Sequence, residues 1–166
     1  YSNLFDQPSQ NKLRCFSNRG TSGIDGTLST AVGAALSTGE PTTVITGDLS
    51  FFYDSNALWI TPFPQNLKII LINNKGGSIF RIIDGPSDAS ELEHFFEAKH
   101  NLNAGNIAKT FGVNYTFCDN ESDLNRSLNK MYSSDLNKSS LLEVTTENEV
   151  NPEILKRYFR LLKNVQ

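Results

Sequence analysis

Two short motifs, Gly47-Asp48-Leu49-Ser50 and Asn73-Asn74-Lys75-Gly76-Gly77-Ser78, each follow a run of strand-forming residues, and Asp48 and Asn74 stand 26 positions apart. A parallel strand pair needs a crossover of about a dozen residues or more. That spacing therefore brings Asp48 and Asn74 to the same edge of neighbouring strands, where ligands of open parallel sheets bind. One carboxylate and one amide oxygen then face a common point, a donor set that suits a hard divalent cation. Mg²⁺ in particular binds through one or two protein oxygens together with phosphates and water. Gly47, Gly76 and Gly77 let the main chain come close to a ligand without a Cβ clash. The amides of Leu49 and Ser50 open the next helix, where orphan N–H groups favour phosphate oxygens. The chemistry these residues suit is the binding of a metal-bridged diphosphate. Either motif alone is ordinary turn chemistry; the pair at crossover spacing is what points to a ligand.

The elements that must position this pair follow from periodicity. Short apolar runs alternate with amphipathic stretches, as in an α/β domain built on a parallel sheet. Strands are expected at 13–17, 42–46, 67–73, 114–117 and 140–145. The run Leu67-Lys68-Ile69-Ile70-Leu71-Ile72 lacks apolar/polar alternation, as a strand covered on both faces should, and marks the sheet centre. Leu28, Ala31, Val32, Ala35 and Leu36 share one helical face, with Gly39 as terminator. A second helix is expected over 51–59. Ala104, Ile107, Ala108 and Phe111 repeat the spacing before Gly112. Leu124, Leu128, Met131 and Tyr132 form another stripe behind the cap Asn120. The last helix opens at Asn151-Pro152-Glu153 and carries Ile154, Leu155, Tyr158, Phe159 and Leu162 on its apolar face. The stretches 84–90 and 133–138 are dense in turn formers.

At 166 residues the chain predicts a single domain, 1–166. With 38% apolar and 20% charged residues it has material for a core, and its net charge of -3 offers no basic footprint for nucleic acid or an anionic membrane surface. No apolar run approaches the roughly 20 residues that span a bilayer. Cys15 and Cys118 lack any metal-site spacing, which suits a reducing, cytoplasmic setting. The chain begins at Tyr1 rather than Met, so a fragment of a longer multidomain protein is expected.

The Gly47-Asp48 and Asn73-Asn74 pair resembles the thiamine-diphosphate signature. Three stretches sharpen the likeness: Ser17-Asn18-Arg19-Gly20-Thr21-Ser22-Gly23-Ile24-Asp25-Gly26, then Gly47 to Ser50 with Tyr53-Asp54-Ser55-Asn56-Ala57-Leu58, then Asn73 to Phe80. Together they resemble the diphosphate-binding domain of the SEPHCHC synthase (MenD) family of menaquinone biosynthesis, over about 17–111. The resemblance implies a three-layer α/β/α fold with a mainly parallel sheet of five to six strands. It implies thiamine diphosphate and Mg²⁺, or Mn²⁺, as cofactors, with Asp48, the Asn74 side chain and the Gly76 carbonyl as metal ligands. Cofactor contacts would come from Ser22, Ile24, Gly47, Leu49, Ser50, Lys75, Gly77 and Ser78, Ile24 being the apolar pillar beneath a bent cofactor. Arg19, Ile79 and Phe80 would face substrate, the arginine meeting a carboxylate in bidentate fashion.

The implied reaction decarboxylates 2-oxoglutarate and adds the succinyl carbanion equivalent to isochorismate. The glutamate that engages the cofactor's pyrimidine ring would come from the amino-terminal pyrimidine-binding domain of a partner subunit in a homo-oligomer. A serine and an arginine of the substrate site would lie upstream of Tyr1, so the isolated chain should be inactive, with no catalytic residue of its own. Leu49 departs from the wider thiamine motif, which has Gly there, and matches this subgroup. His100, in Ala98-Lys99-His100-Asn101 rather than Thr-Pro-His-Gly, is expected to be a surface or loop histidine, and His94 a structural one. The alternatives are another thiamine-dependent carboligase or decarboxylase, or a non-catalytic α/β nucleotide-binding module. The second lacks both GxGxxG and GxxxxGK[ST]. The Gly-rich, turn-rich segment 76–99 is expected to be the most mobile part without cofactor.

Overall fold

The computed structural model describes residues 14–18, 21, 23–83, 85–133 and 138–163. Its centre is the run singled out above, β2 (Leu67–Asn73), which pairs in parallel with β1 (Thr42–Gly47) on one side and β4 (Ser140–Thr145) on the other. β3 (Asn114–Cys118) pairs with β4, giving the order β1-β2-β4-β3. Alternate residues of β2 feed opposite layers, which is why its sequence does not alternate. Leu67, Ile69 and Leu71 join Leu28, Val32, Phe51, Ala104, Ala108 and Leu141 in one core. Ile70 and Ile72 pack with Cys118, Leu124, Leu128, Met131, Leu142 and Val144 in the other.

The first core is covered by α1 (Thr27–Thr38), α2 (Asp48–Tyr53) and α3 (Gly105–Thr110), and the second by α4 (Glu121–Ser133). Helix ends follow the expected chemistry. Gly39 closes α1 at φ 66 with its N–H on the Ala35 carbonyl. Gly112 follows α3 at φ 68, and Asn120 Oδ1 accepts from Asp123 N at 2.9 Å ahead of α4. α5 (Asn151–Lys163) lies against the turn Ser78–Arg81.

Three expectations are corrected. Residues 14–17 form no strand, and the described residues contain four strands rather than five or six. Among the described residues that segment has no apolar layer beneath it: Arg14, Cys15 and Phe16 are all exposed, and Arg14 pairs with exposed Glu40. The helix expected over 51–59 is instead α2 followed by a 3-10 turn, Ser55–Trp59. The break falls at Asp54, whose carboxylate turns away to accept Ser29 N (2.7 Å) and Ser29 Oγ (2.6 Å) in the first turn of α1. A tertiary cap there outweighs one more turn of α-helix. The apolar face of α5 is largely uncovered, with Ile154, Leu155, Tyr158 and Phe159 exposed.

Candidate functional site

Asp48 and Asn74 meet as their spacing requires, because β1 and β2 are paired residue by residue up to Gly47 and Ile72. Asp48 opens α2 and is buried. Its Oδ1 accepts Leu49 N at 2.7 Å and its Oδ2 accepts Gly76 N at 3.0 Å. His100 Nε2 lies 3.3 Å from the same Oδ2. Of the expected surface or loop histidine, the loop is right and the surface is corrected. The His100 side chain is 12% exposed, stands edge-on to Phe52 at 5.3 Å, and its Nε2 is buried without an aligned acceptor. Sequence missed it because the contact spans 52 positions of chain and a loop. His94 is exposed, edge-on to exposed Phe95, and supports no core.

One terminal atom of the Asn74 carboxamide lies 3.2 Å from Asp48 Oδ2 and 2.5 Å from the Gly76 carbonyl oxygen, and the other lies 2.5 Å from Ser78 Oγ. With nitrogen facing inward, both inner contacts would be hydrogen bonds. The outer chain opposes that orientation. Glu97 is a buried acceptor, so the nitrogen of Asn148 faces it (3.2 Å) and the Asn148 oxygen faces Ser78. Ser78 Oγ must then spend its single proton on Asn148, which leaves it only an acceptor for Asn74 Nδ2. The Asn74 oxygen therefore turns inward, and three oxygens from Asp48, Asn74 and Gly76 converge without a proton between them. Neighbouring oxygens around octahedral Mg²⁺, at about 2.1 Å from the metal, stand about 3 Å apart; the Asn74 and Asp48 atoms, 3.2 Å apart, have that spacing, and the Asn74 and Gly76 oxygens, 2.5 Å apart, would have to part slightly to share an ion. In kind, the donor set is one that a small divalent cation takes.

A second wall faces this edge. Gly77 N donates to the Glu97 carbonyl at 2.7 Å, and a Cβ at Gly76, which has φ 150, would lie 2.7 Å from that oxygen. A Cβ at Gly77 would crowd Phe80 and the Phe96 carbonyl. The glycine pair is thus required by the approach of the chain's own 96–99 backbone. Glu97 is bound by Arg81 and lies 3.6 Å from Lys99 Nζ. The hydrogen bond to Glu97 outweighs desolvation and raises the Arg81 pKa. Glu93, hydrogen-bonded to Arg81 and Lys99, is held below the usual carboxylate range. A cavity of about 390 Å³ opens between Asn74, Lys75, His100 and the 146–149 turn.

The remaining expected site residues are distributed around this edge. Gly47 leaves open space where a Cβ would stand. The Leu49 amide is engaged by Asp48, and Ser50 Oγ donates to the Ile24 carbonyl at 2.8 Å, tying the 24–26 bend to α2. Ile24 and Ile79 are 43% and 53% exposed. Lys75 is exposed at φ 65. Phe80 is half-buried and packs on Phe96 at 5.6 Å. Arg19 and Ser22 lie outside the described residues.

Residues that sequence reasoning passed over include Asn148, Glu97 and Glu143. The last had a readable signal, a lone carboxylate inside the apolar strand Leu141-Leu142-Glu143-Val144. It is fully buried and accepts Asn73 Nδ2 (2.6 Å), Ala104 N (3.0 Å) and Tyr115 Oη (2.6 Å). Burial, then the hydrogen bond to Glu143, pushes the Tyr115 pKa up.

The ends of the first two parallel strands thus bring together a carboxylate, a carboxamide and a turned main-chain carbonyl. Residues 4–144 match the thiamine pyrophosphate enzyme, C-terminal TPP binding domain, and the chain belongs to that family. Within it the chain is similar to 2-succinyl-5-enolpyruvyl-6-hydroxy-3-cyclohexene-1-carboxylate synthases. It is 46% identical over 164 residues to that of Christiangramia forsetii, covering 99% of this chain and 28% of the relative. It is 49% identical over 150 residues to that of Flavobacterium johnsoniae, covering 90% of this chain and 27% of the relative. The chain thus spans less than a third of the length of these relatives. Among the described residues no helix is long and apolar enough to cross a membrane.

Proposed function

We propose that this chain is the diphosphate- and metal-binding part of a thiamine-diphosphate-dependent synthase of menaquinone biosynthesis. That enzyme decarboxylates 2-oxoglutarate and joins the remaining succinyl unit to isochorismate. The observation that carries the reading is the meeting of Asp48, the Asn74 carboxamide and the Gly76 carbonyl at one point, in a chain 46% identical to SEPHCHC synthases. Asp48, Asn74 and the Gly76 carbonyl hold Mg²⁺ or Mn²⁺. Gly47, Leu49, Ser50, Lys75, Gly77 and Ser78 surround the diphosphate, and Ser22 and Ile24 support the rings. Arg19, Ile79 and Phe80 meet substrate, the first through its guanidinium and the others by excluding water. Thiamine diphosphate, when bound, supplies the electron sink for loss of carbon dioxide, and the chain's residues bind and orient.

The rest of the site comes from the amino-terminal pyrimidine-binding domain of a partner subunit in a homo-oligomer. The exposure of Tyr53, Trp59, Ile79 and Phe95 supports cover by further chain. The enzyme works in the cytoplasm, a reading that the free thiols Cys15 and Cys118 suit. The full-length enzyme should form product from 2-oxoglutarate and isochorismate with Mg²⁺ and thiamine diphosphate, and this chain alone should form none. Asp48→Asn in the full-length enzyme should abolish saturable cofactor binding by calorimetry. Product from the isolated chain, or heat of binding from ATP or NAD in place of thiamine diphosphate, would overturn the reading.

A further inference from the structure

We propose that Glu143 is a positioning residue of the metal cradle, acting on Asp48 through two arms; this rests on the reading of Asp48 as a metal ligand. Glu143 lies on β4 with no exposure and three donors aimed at its carboxylate, from Asn73, Ala104 and Tyr115. The first arm runs along β2. Glu143 Oε1 holds the Asn73 carboxamide nitrogen, so Asn73 Oδ1 faces Lys75 N at 3.1 Å and pins the left-handed turn at Lys75. That turn delivers Gly76, whose N–H donates to Asp48 Oδ2 at 3.0 Å.

The second arm runs through the loop before α3. Asn73 Nδ2 also donates to the Leu102 carbonyl at 2.9 Å, and Ala104 N donates to Glu143 Oε2. With the loop held at both points, Leu102 N donates to His100 Nδ1 at 3.1 Å. That bond leaves the proton of a neutral ring on Nε2, which sits 3.3 Å from the same Asp48 Oδ2. The first arm thus ends in a hydrogen bond on Asp48 Oδ2, and the second brings the ring edge of His100 against the same oxygen without an aligned bond. Asn73, Glu143 and Tyr115 face one side of the sheet, so the hub lies directly beneath the strand ends. A carboxylate is needed there because all three partners donate; an amide would set its own N–H against one of them. Removing the charge frees the Asn73 side chain and loosens both arms at once, and outer partners of this kind govern metal affinity.

The test uses the full-length enzyme carrying this chain, with Mg²⁺ titrated by calorimetry at fixed thiamine diphosphate and the melting temperature recorded beside it. Glu143→Gln should raise the Mg²⁺ concentration at half-saturation about tenfold. Tyr115→Phe removes a donor from the same carboxylate outside both arms. It should lower the melting temperature and leave half-saturation within about twofold, a split that a merely structural role of Glu143 would not produce. Should Glu143→Gln fail to fold, His100→Phe cuts only the second arm, on a loop, and must itself shift half-saturation by about tenfold. Wild-type half-saturation in Glu143→Gln, or in His100→Phe when the first variant does not fold, overturns the proposal. So does an equal shift in Tyr115→Phe. Asp48→Asn separates the failures: if it binds Mg²⁺ like wild type, the metal assignment has failed, and otherwise only the positioning role has.

Discussion

The two walls of the candidate site are built on different principles. Asp48 and Asn74 stand at the ends of β1 and β2, which are locked together by a parallel ladder over six residue pairs. The facing wall, from Gly77 to His100, contains among its described residues only short turns: 3-10 at Ser78–Arg81 and Pro86–Asp88, and a π turn at Leu92–Phe96. It is fastened by side chains, chiefly Arg81 on buried Glu97 and Glu97 on Asn148. A ladder distributes its hold over many equivalent bonds, so the main chain at Asp48 does not depend on any one side chain, and the arms from Glu143 act only on its carboxylate. A polar clasp concentrates its hold in two or three residues, and each is a point of failure.

The sharpest way to break this contrast is to open the clasp. Arg81→Ala leaves Glu97 buried with only Lys99 and Asn148, and should cost about 3 kcal/mol in chemical denaturation. The loss should appear in hydrogen exchange as faster opening of 77–83 and 85–97, with Leu67–Asn73 as protected as before. Equal loosening of β2 would show that the two walls unfold as one.

Next in size is the joint between the walls. Gly76→Ala places a Cβ 2.7 Å from the Glu97 carbonyl at φ 150, a strain of about 2 kcal/mol. It should lower stability and weaken Mg²⁺ binding together. Asn148→Leu should separate those effects. It frees Ser78 to donate to Asn74, the carboxamide can turn nitrogen-inward, and Mg²⁺ affinity should fall about tenfold, while stability falls less than in Arg81→Ala because only one hydrogen bond to Glu97 is lost.

The smallest effect is one of pH, on the β3 side of the sheet. Tyr115 has its pKa raised above the ordinary 10.0 by burial and by Glu143, so the folded state holds its proton more tightly than the unfolded chain. Its contribution to stability is complete below about pH 10 and declines as the pH rises beyond it. Urea midpoints measured from pH 9 to 11 should fall in wild type and fall less in Tyr115→Phe.

Much of this was readable in advance. The unalternating run at 67–72 located the central strand, because burial on both faces leaves no polar positions. The gap between Asp48 and Asn74 located their meeting, because a parallel crossover has a minimum length. Local chemistry was misread where a distant partner took over. Asp54 stops a helix to cap α1, and His100 leaves a surface loop for Asp48. The glycines at 76 and 77 were legible as close-approach positions, but what approaches is the backbone of 96–99.

The sequence by itself determined that the strands before Asp48 and Asn74 are neighbours and that these two polar side chains share an edge, since periodicity and chain length are local quantities that survive in one dimension. Tertiary structure alone decided which way the Asn74 carboxamide faces and what anchors Asp48. Those outcomes depend on where Glu97, Asn148 and Glu143 place their hydrogen-bonding atoms, and proton bookkeeping across 20 to 95 positions of chain has no signature in residue order.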